Sequence, residues 1–206
     1  MKKSQKATSI IEAIVVLLVI TTWVTWMYTI FNKSTQLSNS TNNKIQAIQI
    51  AKQWIEAFTN IRDTNWLRFS SDYDNCWNTL NYDSNCLWNN TSGDIQSWSY
   101  IIYRDINNSW LLDTKTSGTY WNWNYINNYR VWINNWIYTQ TWTTDNLFPV
   151  FTREIKISYL QADWITIWAN SDEPKIKLTS LVQWADSSSS QAHKVELEQI
   201  LSNWQK

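Results

Sequence analysis

Few side chains in this sequence are equipped for chemistry, and their types and spacing narrow what they can do. There is one histidine, His193, and there are two cysteines, Cys76 and Cys86. These are too few for a structural zinc site, which takes four ligands drawn largely from Cys and His. His193 follows the serine run 187–190, but a hydroxyl near an imidazole makes no triad without a third group to orient the base. A structural or solvated histidine is expected. Glu154, Glu173, Glu196 and Glu198 are the candidates for paired acid and base work, a chemistry defined by separation in space. Charge on solvated strand faces explains them equally well. Asp72, Asp74 and Asp83 lack the EF-hand spacing and read as loop carboxylates. Two glycines, Gly93 and Gly118, leave no glycine-rich loop to cradle a phosphate. No catalytic residue, cofactor or metal is assigned, and an enzyme is not expected.

Cys76 and Cys86 stand ten residues apart. Neither a Cys-x-x-Cys spacing nor a basic neighbour marks them as reactive thiols. Outside the cytoplasm a disulfide is the default, and closing a loop of this length stabilises by roughly 2–3 kcal/mol in the chain-entropy account. Seventeen Lys and Arg balance seventeen Asp and Glu. Phosphate binding needs a basic face, so nucleic acid is not expected as a partner.

The 206 residues include 17 tryptophans beside the two glycines, where average usage gives roughly 14 glycines. Some tryptophans also stand where backbone geometry asks for glycine. Asn135-Trp136 lies between two strand-like runs, in a slot where a two-residue hairpin wants Asn-Gly with φ > 0. The run from Tyr120 to Asn124 reads as a loop if Trp121 and Trp123 are glycine. The expectation is a gene whose UGA codons mean glycine in its host and are written here as tryptophan. Trp66, Trp184 and Trp204 are expected to be genuine under either code. The competing reading is a true aromatic binding surface, and UGG at all 17 positions would establish it.

Lys2, Lys3 and Lys6 precede an apolar run, and from Ala13 to Phe31 there are 19 residues without a charge. At about 1.5 Å per residue a helix of this length crosses the roughly 30 Å hydrocarbon core. It is longer than a secretory signal core and has no small-residue cleavage site after it. The lysine bias puts the N-terminus in the cytoplasm and the remainder outside. Glu12 is the informative residue, because a carboxylate at the start of an apolar span marks a functional position that calls for a cationic partner.

The segment Lys6-Ala7-Thr8-Ser9-Ile10-Ile11-Glu12-Ala13-Ile14-Val15-Val16-Leu17-Leu18 resembles the N-terminal signal of type IV prepilins and pseudopilins. The resemblance implies cleavage by prepilin peptidase between Ala7 and Thr8, N-methylation of Thr8, and Glu12 as the fifth residue of the mature chain. Two positions depart from the family pattern: Ala7 stands for the usual glycine and Thr8 for the usual phenylalanine. The implied partners are prepilin peptidase, an inner-membrane assembly platform, membrane lipid before assembly, and identical or related subunits in a helical filament afterwards. The free ammonium at Thr8, protonated below a pKa of about 8, is the implied partner for Glu12 of a neighbouring subunit.

The elements follow from periodicity. Ile45, Ile48, Ile55, Phe58 and Ile61, with Ala51 between, suggest one apolar helix face, and a single helix is expected from about Ser9 to Asp63. The stretch Ala51 to Trp66 resembles pilin-like proteins with glycine at the place of Trp54 and tryptophan at that of Trp66. Strands are expected at 99–104, 110–113, 129–133, 137–141, 151–160, 165–168, 175–184 and 194–201, alternating apolar and polar residues so that each buries one face. The fold class is α+β, a long N-terminal helix on a C-terminal antiparallel sheet, as in pilins. Its parts are a leader at 1–7, a membrane half of the helix at 8–33, an amphipathic half at 34–66, and an extracytoplasmic head at 67–206 with a disulfide loop at 76–86. The leading expectation is a filament subunit whose head serves adhesion or surface contact. The alternative is an uncleaved single-pass membrane anchor bearing an aromatic carbohydrate-binding face.

Overall fold

The computed structural model of the chain describes residues 10–88, 93–105, 107–134, 137–141, 150–160, 167–168, 175–185 and 191–203. Helix α1 runs Ile10–Arg68. The chain divides into two compact units between Asn43 and Lys44, and each is described by itself.

The first unit contributes the apolar part of α1, with nearly every side chain exposed from Ile10 to Phe31. Threonines interrupt the apolar run, yet their hydroxyls need no outside partner. Thr21, Thr22, Thr25 and Thr29 each donate to a carbonyl three or four residues back, at 2.8–3.1 Å. Back-bonding of this kind hides the hydroxyl against the helix itself, so the segment stays compatible with hydrocarbon.

The second unit is a helix packed on an antiparallel sheet. The buried face of α1 consists of Ala47, Ile50, Ala51, Trp54, Ala57, Phe58, Ile61 and Asn65. The sequence pattern placed Ile45 and Ile48 on that face, and the structure corrects this: both are exposed, at 47% and 36%. Ile45 precedes Trp54 by nine residues, about two and a half turns, and so lies on the opposite side. Three alanines and Trp54, with Ile50, Phe58 and Ile61, mark the true stripe. The helix also runs past the expected end at Asp63, because Asn65 and Trp66 are themselves packed inside.

The sheet holds β1 (Ser99–Arg104), β2 (Trp110–Thr114), β5 (Phe151–Leu160), β6 (Ile167–Trp168), β7 (Lys175–Trp184) and β8 (His193–Ser202). Its order is β2-β1-β5-β7-β8, with β6 also pairing β5. The β5–β7 and β7–β8 ladders are long, running from Phe151↔Trp184 to Tyr159↔Ile176 and from Trp184↔His193 to Lys175↔Ser202. By contrast β1 meets β5 only at Ser99↔Lys156 and Tyr100↔Ile155. Beyond that point the Gln140 side chain fills the gap. Its Oε1 accepts from Ile102 N–H at 3.2 Å, and its Nε2 donates to the Arg153 carbonyl at 2.7 Å.

Strands β3 (Trp132–Asn134) and β4 (Ile137–Thr139) form a separate hairpin with Asn134↔Ile137 as its last pair. Asn135 and Trp136 lie outside the described residues. The strand expected at 129–133 is corrected in part: Tyr129 ends helix α3 (Trp123–Tyr129), which follows the short helix α2 (Tyr73–Cys76) in the chain. Asn122 caps that helix, its side-chain oxygen accepting from Asn124 N–H and Tyr125 N–H at 2.9 and 3.4 Å. The cap turns an apparent loop into a helical start.

Candidate functional site

The sequence's candidate position in the apolar part of α1 is Glu12. Glu12 is the only charged residue between Ile10 and Asn32, in the first turns of α1 and exposed. This helix is long and apolar enough to cross a membrane by length and composition. Ala7 and Thr8 lie outside the described residues, so the expected cleavage site has no structural description.

In the second unit, Cys76 and Cys86 are joined in a disulfide with Cα atoms 5.2 Å apart, as the sequence suggested. The crosslink packs with Phe69 in the segment that follows α1. Buried Asn65 fastens this segment to the helix, its Nδ2 donating to the carbonyls of Trp77 and Thr79 at 3.3 and 3.0 Å. Asn81 fastens it to the sheet edge, donating to the Leu112 carbonyl at 2.9 Å and accepting from Leu112 N–H at 2.8 Å. Its φ of 52° is a left-handed conformation that asparagine tolerates better than most residues. Asp74 accepts from Asn203 Nδ2 at 2.9 Å.

The other candidate groups do not assemble. Asp72 accepts from Asn75, and Asp83 from the backbone and side chain of Asn85. Among the described residues no group of three or more His, Cys, Asp or Glu could hold a metal ion. His193 stacks on Trp184 across the β7–β8 pair, with ring centroids 5.4 Å apart. Glu196 and Glu198 sit on β8 with Lys194 and Lys177 at 3.8 and 2.7 Å. Glu173 and the serine run 187–190 lie outside the described residues.

Glu154, for which the sequence offered a solvated strand face, is buried, and so is its neighbour Arg153. Arg153 and Glu154, neighbours on β5, point to opposite sides, and both are wholly inaccessible. Glu154 faces α3. Its carboxylate accepts from Ser99 Oγ at 2.7 Å and from the Tyr125 hydroxyl at 3.0 Å, with Lys156 Nζ 3.8 Å away. Burial, reinforced by this carboxylate, raises the pKa values of Tyr125 and Tyr129. Arg153 faces α1 and lies over the Trp54 ring, and burial lowers its pKa. No local signal marks this burial in the sequence: the pair holds the third and fourth positions of the ten-residue strand, between Thr152 and Ile155.

Beside the hairpin turns, Arg104, Asp105, Trp110, Asn134 and Tyr138 line a polar cleft of about 220 Å³. No family model matches the chain, and no curated protein or solved structure matches it. What the fold defines is a class: an α+β protein with a disulfide, whose N-terminal helix is apolar enough to span a membrane and packs its later half on an antiparallel sheet.

Proposed function

We propose that this chain is a structural subunit of a type IV pilus-like filament, as a major or minor pilin. Prepilin peptidase cuts it between Ala7 and Thr8, Thr8 is methylated, and the mature chain polymerises through the first half of α1. Before assembly the helix sits in membrane lipid with the N-terminus cytoplasmic. Afterwards the head is displayed outside the cell for adhesion or surface contact. The single observation that carries the reading is Glu12, a lone carboxylate at the start of an exposed apolar helix. Within an apolar bundle an unpaired charge is heavily penalised, so a Glu12 carboxylate that finds a neighbour's Thr8 ammonium sets subunit register. The packing of the later half of α1 on an antiparallel sheet supports the same reading.

Peptide mass spectrometry of the protein from its own host tests it. The expected N-terminal peptide begins at methylated Thr8. An intact Met1 leader would instead favour a plain membrane anchor. That second reading draws on Trp98, Trp121 and Trp123, each more than half exposed, which would serve as a carbohydrate-binding face.

A further inference from the structure

Arg153 enters the interface between α1 and the sheet completely buried. None of its three side-chain nitrogens has a hydrogen-bond partner among the described residues. What it meets is the Trp54 ring, whose centroid lies 3.0 Å from Arg153 Cζ. That is closer than the 4.2–4.5 Å at which Arg62, Arg104 and Arg130 stand over their own indole rings, so the guanidinium and the indole are pressed together. Trp54 is also fully buried, and its Nε1 has no partner. Overfilling and orphaned donors on both sides of one contact are what a side chain too large for its site produces.

Other tryptophans sit differently. Arg62 lies 4.5 Å over Trp66, Arg104 4.2 Å over Trp110 and Arg130 4.3 Å over Trp132, all ordinary cation–π spacings. Trp184 packs at 5.8 Å from Phe151 and 5.4 Å from His193. Its Nε1 is buried without a partner too, but its ring is not compressed. Around position 54 the helix face carries a row of small residues, Ala47, Ala51 and Ala57, beside the larger Ile50 and Phe58. A residue without a side chain continues that face and leaves space in which water can satisfy the guanidinium.

We infer that position 54 is glycine in the protein as its host makes it, encoded by UGA, and that Trp66 and Trp184 are genuine. The interior thus sorts tryptophans that composition cannot. This inference rests on the recoding expectation and not on the filament reading.

Tryptic peptides of the host-made protein test it. Peptide 53–62 is expected to be lighter by the difference between an indole side chain and a hydrogen atom. Peptides 63–68 and 178–194 are expected to keep Trp66 and Trp184. Tryptophan at 54, or glycine at 66 or 184, overturns the assignment. Codon 54 is expected to be UGA, and UGG there overturns it as well. A second comparison uses two full-length chains made under the standard code, the tryptophan form and Trp54→Gly. The glycine chain is expected to unfold at a temperature several degrees higher, and an equal or lower midpoint refutes the packing argument. The N-terminal peptide reports prepilin processing separately, so the two readings fail independently.

Discussion

Glu154 is a buried carboxylate whose neighbours answer it, and the tyrosines beside it carry the consequence. Burial first, and the Glu154 charge second, hold Tyr125 and Tyr129 protonated beyond the ordinary tyrosine pKa of 10.0. Burial does the same for Tyr159, whose hydroxyl donates to the Ile95 carbonyl and accepts from Asn78. Above about pH 10 the unfolded chain therefore sheds protons that the folded chain keeps, and stability falls as pH rises. Their contribution is complete below that pH and is lost as pH climbs through the raised values. In a spectrophotometric titration, tyrosinate from these three should appear together with loss of near-ultraviolet circular dichroism. Their ionisation near pH 10 in a still-folded protein would contradict the burial described. Tyr125→Phe removes a bond to a charged acceptor and should cost about 1.5–3 kcal/mol in denaturant unfolding. None of this was readable beforehand. Glu154 looks like ordinary charge on a solvated strand face until α3, itself hidden by an unrecognised asparagine cap, covers that face of β5.

On α1 the side of the helix matters more than the hydrophobicity of the residue. Ile61 is buried and Ile45 points away, so Ile61→Ala should cost about 2–5 kcal/mol and Ile45→Ala no more than about 0.5 kcal/mol. Equal losses in thermal unfolding of the two variants would refute the assignment of the face. The disulfide makes a comparable claim for the segment after the helix. Cys76→Ser should lower stability by roughly 2–3 kcal/mol, and reductant should then have no further effect on the variant. How well each element could be read follows from its local signal. Strands β5 and β7 match their expected bounds because long apolar-polar alternation is a strong pattern. The stripe on α1 was right at Ala51, Phe58 and Ile61 and misread at its start, where periodicity favoured Ile45 and Ile48 in place of Ala47 and Ile50. Tyr129 was misread because its β propensity yielded to the Asn122 cap. The disulfide needed only its spacing and compartment, whereas the buried pair on β5 needed the tertiary fold.

The assembly proposed for this chain concerns the molecule as a unit, and Glu12 is where it can be tested. Glu12→Ala removes the one charge from the apolar run, so membrane insertion should be retained. Surface filaments should be lost or sharply reduced, counted by electron microscopy against the membrane-bound pool. Normal filaments from that variant would rule out register-setting by this carboxylate. The placement of β5 bears on how the head is made. Its neighbours in the sheet are β1 before it and β7 after it, and the helix stripe beneath it was synthesised about a hundred residues earlier. Translation therefore delivers the stripe first and β7 well after it. Until Trp184 has emerged, β5 is an open edge and the stripe has no full cover, the condition in which nascent chains aggregate or are cleaved. Closure of the sheet thus waits on β7, and a chain stopped before β7 leaves this strand edge and the apolar helix stripe open to other chains.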